Sequence, residues 1–576
     1  MTNCKKCNKK KCECKSHVGK LVNVTKLSKF PPSLVSLRYP FPDTDMPRTW
    51  FRNTEDECWL AINPTNHKNM ILVTHQDRLL GFLGDIVLYT LDGGDTWNES
   101  SLVLSRCQGA TNPYALNDYE IASDPNIFFD PKGNAYMNAV SFNLVQDYDE
   151  AIVVVRSADG GKSWDRVTEV TRDDGNEHVQ DRQTGFADPY RENHLYIAWT
   201  DFLTINGPTY PNVTKFQKST DGGATWSEPL IIDEEFADDG GKAPWNSLIQ
   251  VVNDKHKSIL VFCRVTRDEI GGVDKIVVNK SKDGGNTWKK IELPYDYVYQ
   301  VARDVENNIT IMGYGSQIDV CVNKSRDKIY IVNYDPRFTT NGQSGVTITM
   351  STDFGETWSC PVPVNPKHLD TQAFLPSVAV LKDGTVGVTF YDCRNYNGTG
   401  PSLWTDVWLA VFNEDLSKWL GEFRLTNESF DVRQAMRRSG YTGVYGGALF
   451  LGDYIKMISH KNKFLTAFPI CNPPYGVGLC PVPEDQFRID EREGVVFPNR
   501  QDIVFRKIKV RNHHISKHPV RMHKFRKLAC DDSKSHGDKT INNKQIKPKS
   551  NDIVPLSISV RNERIVLRQL VQKIKK

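Results

Sequence analysis

Four short strings end strand-like runs with a guanidinium group, three of them beside a carboxylate: Gln76-Asp77-Arg78, Cys263-Arg264, Tyr334-Asp335-Pro336-Arg337 and Tyr391-Asp392-Cys393-Arg394. Thr200-Asp201 ends a fifth run with the acid alone. Arginine carries a planar, permanently charged fork that grips a carboxylate through two parallel hydrogen bonds. Arg78, Arg264, Arg337 and Arg394 therefore read in two ways. Either they converge as a clamp for an acidic group of a ligand, or each arginine ties down an acid of its own strand pair. Recurrence in four runs favours at least two of them facing a common cavity.

The elements that would position them are set by a phrase that recurs five times: Thr90 to Trp97, Ser157 to Trp164, Ser219 to Trp226, Ser281 to Trp288 and Ser351 to Trp358. All fit Ser/Thr-x-Asp-x-Gly-x-Ser/Thr-Trp, with aspartates at 92, 159, 221, 283 and 353. A phrase repeated at 62 to 70 residues marks a repeat architecture in which each copy is one structural unit. Alternating runs such as Ile86-Val87-Leu88-Tyr89 and Ile152-Val153-Val154-Val155 precede the copies. Asp-x-Gly then supplies turn chemistry, because Asp bonds amides further along and Gly accepts positive φ. Trp adds an apolar plate that can wedge between units. The phrase predicts a rigid hairpin turn with an anchor, and its aspartates are structural.

Upstream strand pairs complete the units. Asp124-Pro125-Asn126-Ile127-Phe128-Phe129 with Ala135-Tyr136-Met137 is one, and Ile259 to Phe262 and Ile329 to Val332 belong to others. A sixth unit, Pro376 to Val411, ends in a decayed turn at Asn413-Glu414-Asp415. A seventh runs from Gly452-Asp453-Tyr454 to Ile503-Val504-Phe505, as a blade closed by the N-terminal segment or as the closing strands of a six-unit ring. The phrase is the Asp-box, and the chain resembles the Asp-box β-propellers of the sialidase-like superfamily.

That resemblance implies an all-β fold: a single propeller of six or seven four-stranded blades, the strand count leaning to seven. It places the Asp-boxes between third and fourth strands, away from the active face. It also implies a sialidase-like glycoside hydrolase, exo-acting and retaining, without metal or cofactor, acting on a glycan or glycoprotein. In that family arginines hold the acid group of the sugar and a tyrosine is the nucleophile. Carried onto this chain, Tyr391, Tyr445 or Tyr454 would be the nucleophile, Glu120 or Asp392 its partner, and Asp118 or Asp124 the acid/base. The set chosen is Tyr391, Asp392 and Asp124, with Arg78, Arg264, Arg337 and Arg394 as the clamp. The family's Arg-Ile-Pro phrase is absent, Leu37-Arg38-Tyr39-Pro40 being its nearest echo. The alternative is a non-catalytic propeller that binds glycan or protein and is anchored to a larger assembly by basic tails.

Charge supports such tails. The formal net charge is +3, yet residues 501–576 carry 20 Lys/Arg against 6 Asp/Glu, and residues 1–20 carry 7 Lys against one Glu. An acidic centre is thus flanked by basic ends suited to an anionic partner. The expected division is a Cys/Lys-rich tail at 1–20, a lead segment at 21–56, the propeller at 57–508 and a basic tail at 509–576. Leu567, Leu570, Val571 and Ile574 have the spacing of a short amphipathic helix. Of thirteen cysteines, Cys4, Cys7, Cys12 and Cys14 cluster near the start, suited to a soft metal or to a cross-linking tail. Cys471 and Cys480 would pair under oxidising conditions, and Cys263 and Cys321 read as small core residues. No apolar run long enough to cross a membrane occurs. Neither is an apolar leader visible, so an extracellular or particle-bound place would need an unconventional route.

Overall fold

The computed structural model describes residues 17 to 531, apart from segment 26–48, a few single positions and several connecting loops. The longest of those loops are 77–83, 105–118, 144–148, 174–178, 203–212, 234–242, 267–272, 312–317, 439–447, 472–494 and 511–518. Arg78, Asp118, Glu120, Tyr445, Cys480, the Cys4–Cys14 cluster and the helix expected near Leu567 lie outside the described residues.

Seven antiparallel sheets form the blades of a propeller. Their innermost strands are Glu55–Ile62, Ile121–Phe129, Val179–Ala187, Ala243–Val251, Asp319–Val322, Ala373–Val380 and Lys456–His460, for blades 1 to 7. Each packs against the next, and the seventh returns to the first, so the ring is closed and its sheets have no free inner edge. The expected seventh blade is present. Its edge is completed by the N-terminal segment: His17–Val18 and Val22–Asn23 both pair with Gln501–Lys509. Val24 is buried beside them.

All five Asp-boxes join third to fourth strands. Asp92 shows why the phrase is so constrained. Its Oδ1 accepts from the Asp95 and Thr96 amides at 2.9 and 3.0 Å, and its Oδ2 accepts from the Thr96 hydroxyl at 2.6 Å. Asp159, Asp221, Asp283 and Asp353 repeat the pattern. The second glycine of the first box, Gly94, has φ +86°, and a Cβ there would stand 2.4 Å from the Phe505 ring of blade 7. Box tryptophans staple neighbours together: Trp97 meets Phe505 edge-on at 5.4 Å, and Trp164 Nε1 donates to Ser100 Oγ of blade 1 at 2.8 Å. Burial of these plates between sheets, with valine and isoleucine on facing strands, forms the core.

Two additions decorate the ring. Ala302–Asp304, Ile309–Ile311, Met436–Arg438 and Ala448–Phe450 build a small accessory sheet from the connections entering blades 5 and 7. Val520–Arg521 adds a fifth strand to blade 6, and helix His523–Asp531 follows with Phe525 against Phe338. Cys263 and Cys471 are buried. No helix among the described residues is long and apolar enough to cross a membrane.

Candidate functional site

The innermost strands share a defect. In blades 1, 2, 3, 4 and 6 the register with the second strand slips at the same place, between Asp56/Trp59, Ser123/Asn126, Asp181/Thr184, Trp245/Leu248 and Phe374/Ser377. Each slip holds one residue in the left-handed region: Glu57 at φ 53°, Asp124 at 57°, Arg182 at 57°, Asn246 at 64° and Leu375 at 51°. Such bulges re-aim a side chain, and a non-glycine residue there costs roughly 1–2 kcal/mol. Five strained positions arranged around one axis are a site-like feature.

They surround an axial cavity lined by all seven blades, with Trp59, Asp124, Asn126, Arg182, Asp319 and Tyr454 among its walls. The bulges lie toward the starts of the first strands, so the cavity belongs to the face opposite the Asp-boxes. Arg182 of blade 3 crosses the axis to the carboxylate of Asp453, which opens blade 7. Burial works against the Arg182 charge, yet Asp453, Asp124, Asp181 and Glu57 together hold its pKa above the ordinary arginine value. Lys456 pairs with Asp319 and lies 5.0 Å from the Trp59 ring, which meets Tyr454 edge-on at 5.7 Å.

Asp124 is fixed through its backbone. Its N–H donates to His75 Nε2 at 2.8 Å, and its carbonyl accepts from Gln183 Nε2 at 2.6 Å. His75 Nδ1 in turn stands 3.2 Å from Asp56 Oδ1 and 3.0 Å from Glu57 Oε2. Asp56, Glu57 and His75 are a ligand set of metal type. Nε2 takes the Asp124 amide and also stands 3.2 Å from Asp85 Oδ1, so both ring nitrogens are already engaged by the protein's own groups. The trio works as a hydrogen-bonded brace for Asp124.

The residues singled out from the sequence divide sharply. Asp124 and Tyr454 reach the cavity. Tyr391 does not: it is fully buried between sheets, stacked on Phe374 at 5.5 Å, and its hydroxyl donates to the Pro469 carbonyl at 2.8 Å. Burial holds that phenol far above its ordinary pKa, which suits a core residue and opposes a nucleophile. The arginine clamp is not assembled by the three members the structure describes. Arg264 is 2 % exposed and bonded at 2.6 Å to Asp274 on the adjoining strand. Arg337 returns to Asp335 at 2.6 Å and lies over the Tyr295 ring. Arg394 returns to Asp392, reaches Glu422 on the fourth strand of its own blade and lies with its guanidinium carbon 3.9 Å from the Trp408 ring centre. Asp392 is pushed up to about 6 by burial, with Arg394 pulling the other way. These pairs are the blade ties that the residue reading had left open.

Arg182, Asp453 and Glu57 were missed. Their signal was positional: Glu57, Asp124, Arg182 and Asn246 each precede an Asp-box aspartate by 35 to 39 residues, but with different side chains at every copy.

The family model for the BNR repeat-like domain matches residues 84–388. No curated protein sequence matches the chain. Among solved structures, the α-L-arabinofuranosidase of Fusarium graminearum shares 14 % identity, with 65 % of this chain and 92 % of that chain covered, at a TM-score of 0.40. The Hadza microbial sialidase Hz136 shares 12 %, with 78 % and 75 % covered and a TM-score of 0.37. A protein of unknown function from Dyadobacter fermentans shares 14 %, with 82 % and 100 % covered and a TM-score of 0.37. Likenesses this distant carry no chemistry with them. The family match spans more than half of the sequence and all five boxes lie wholly inside it, and on that ground the chain belongs to the BNR repeat-like family of Asp-box β-propellers.

Proposed function

We propose that the axial cavity is the working site and that the protein is a glycoside hydrolase acting on glycoconjugates, with Asp124 as acid/base. The observation that carries this reading is the meeting of Asp124, Glu57 and Asp453, from three blades, in and around one cavity that also holds Arg182 and the Trp59–Tyr454 pair. Glycoside hydrolysis needs a proton donor and a second anionic group across the sugar, and aromatic rings suit a sugar's apolar face. Bracing of the Asp124 backbone on both sides fixes the donor.

The finer form, an exo-acting, retaining sialidase, would want several cavity arginines for an acidic sugar. Among the described residues only Arg182 lines the cavity, and Asp453 already balances it. Tyr454 is a poor nucleophile, because burial together with the charges of Glu57, Asp124 and Asp85 holds its hydroxyl well above the ordinary phenol pKa. We therefore assign the anionic partner role to Asp453 and favour an uncharged sugar. The same Arg182–Asp453 pair favours a second reading, a propeller that binds glycan without cleaving it, since each group is already held by the other across the axis.

Fluorogenic α-sialoside, α-L-arabinofuranoside and neutral hexopyranoside substrates separate these readings when tested with wild type and Asp124→Asn. Asparagine accepts the left-handed backbone, so the variant should fold. Cleavage of a neutral glycoside with a loss of about 100-fold or more in kcat for the variant supports the hydrolase. Unchanged kcat removes Asp124 from the chemistry. Sugar binding by wild type without turnover leaves the binding propeller.

A further inference from the structure

The fifth Asp-box is followed by a cysteine that has already reacted. Cys360, half-buried two residues after Trp358, is one half of a disulfide. Cys58, Cys263, Cys321, Cys393 and Cys471 keep their thiols. Thirteen cysteines less these six leave seven: Cys4, Cys7, Cys12, Cys14, Cys107, Cys480 and Cys530. Of the seven, Cys530 alone belongs to a described element, the helix His523–Asp531.

That helix comes up to Cys360 through contacts that run residue by residue. Val520 and Arg521 pair with Trp419 and Lys418 of blade 6, and the Met522 amide donates to the Ser417 carbonyl at 2.9 Å. Met522 and Phe525 then enter the apolar core between blades 5 and 6, beside Val346, Met350, Val362 and Trp419. Arg526 brings its Nη2 to 4.0 Å from the Met350 sulfur. Met350 is joined to Ser359 twice: its carbonyl accepts from the Ser359 amide at 2.8 Å, and its own amide donates to the Ser359 hydroxyl at 3.2 Å. Ser359 is the residue before Cys360. Positions 522, 526 and 530 are four apart, so they follow one another along one face of the helix. Cys530 thus stands one turn beyond Arg526, on a helix that packs against Val362–Pro363 just after Cys360.

Packing alone is a weak hold on this helix. Nine residues are fewer than an isolated helix requires in water. His523, Lys524, Arg526 and Lys527 crowd basic groups into its first turns, and Leu528 is 59 % exposed.

We propose that Cys530 is the partner of Cys360, and that the bond clasps the C-terminal helix into the groove between blades 5 and 6 until reduction releases it. The two positions are 170 residues apart, and a cross-link that closes a long loop constrains the unfolded chain strongly. The bond forms by exchange with oxidised glutathione. One cysteine thiolate attacks the glutathione disulfide and expels one glutathione thiol, and the other thiolate then displaces the second from the mixed disulfide. The two cysteines give up two electrons and two protons, and the oxidant leaves as two reduced molecules. Such a bond persists in oxidising surroundings.

The test uses the full-length chain kept in oxidised glutathione, alkylated without reduction and cut with trypsin. Cys360 then lies in peptide 338–367 and Cys530 in peptide 528–534, each without another cysteine. Mass spectrometry should find the two joined, and dithiothreitol should part them. Amide hydrogen exchange of residues 523–531 should quicken at least about 10-fold on reduction. Cys530→Ser should exchange at that faster rate with or without reductant. Recovery of both peptides separately alkylated, or of 338–367 joined to a different cysteine, overturns the pairing. Joined peptides whose reduction leaves exchange at 523–531 unchanged overturn the clasp.

Discussion

Arg182 and Arg394 show how differently one side chain type is used in this molecule. Arg394 sits two residues from Asp392 at the end of a strand, and local geometry alone closes that pair. Arg182 has Asp453 as its partner, 271 residues away, and the two meet only because blades 3 and 7 face each other across the axis. Both groups of this second pair are buried, with side chains 5 % and 3 % exposed. Removing one partner of a buried pair strands the other charge, whereas removing both is far less costly. Arg182→Met should lower stability by about 3–5 kcal/mol. Arg182→Met/Asp453→Asn should recover much of that loss. Urea titrations of the two variants check the coupling, and equal destabilisation by both would show that the pair has no such role.

At the scale of the element, the Asp-box is a turn held by its own carboxylate. For Asp221 burial acts to raise the pKa, but the Thr225 hydroxyl and amide, the Ser219 hydroxyl and the Ala224 amide outweigh it and hold the group at about 2, below the ordinary aspartate value. A depressed carboxylate contributes stability that is complete above its unfolded pKa and is lost as pH falls through the folded one. The boxes should thus be at full strength above about pH 4 and fail progressively toward pH 2. Asp92 and Asp283 are held lower still. Solvent screening at these exposed turns keeps each contribution small. Asp221→Asn should reduce stability at neutral pH and show a shallower acid limb than wild type, as read by circular dichroism from pH 5 to 2. An acid limb as steep as that of wild type would show that the Asp221 carboxylate does not contribute there.

The whole molecule is a ring closed by a strand from its own beginning. His17–Val18 and Val22–Asn23 cover the outer edge of Gln501–Lys509, with Thr25 bonded to Asp502 at 3.5 Å and its hydroxyl accepting from the Ile503 amide. An uncovered edge strand is a template for pairing with other chains. A chain lacking residues 1–25 should melt at a lower temperature and self-associate, measurable by calorimetry and light scattering. A truncated chain that stays monomeric with an unchanged melt would show that the closure is dispensable.

Repetition made much of this architecture readable. Five boxes at a near-constant period specified strand, turn and anchor locally, because each box satisfies its aspartate within four residues, and the arginine–aspartate neighbours at strand ends were visible for the same reason. The seventh blade was half-legible, since its strands were in the sequence but the edge partner of Gln501–Lys509 is the segment 17–23, at the far end of the described chain. The axial site was not legible. Its residues vary in type from blade to blade, and what they share is a backbone bulge and a direction toward the axis, which no side chain announces. The amino-acid sequence by itself determined the blades and their turns, because those depend on contacts a few residues long. Which charges meet at the centre, and which end as ties within a sheet, was decided only when seven sheets closed into a ring, because burial and distance across an axis are properties of the closed ring and of no segment within it.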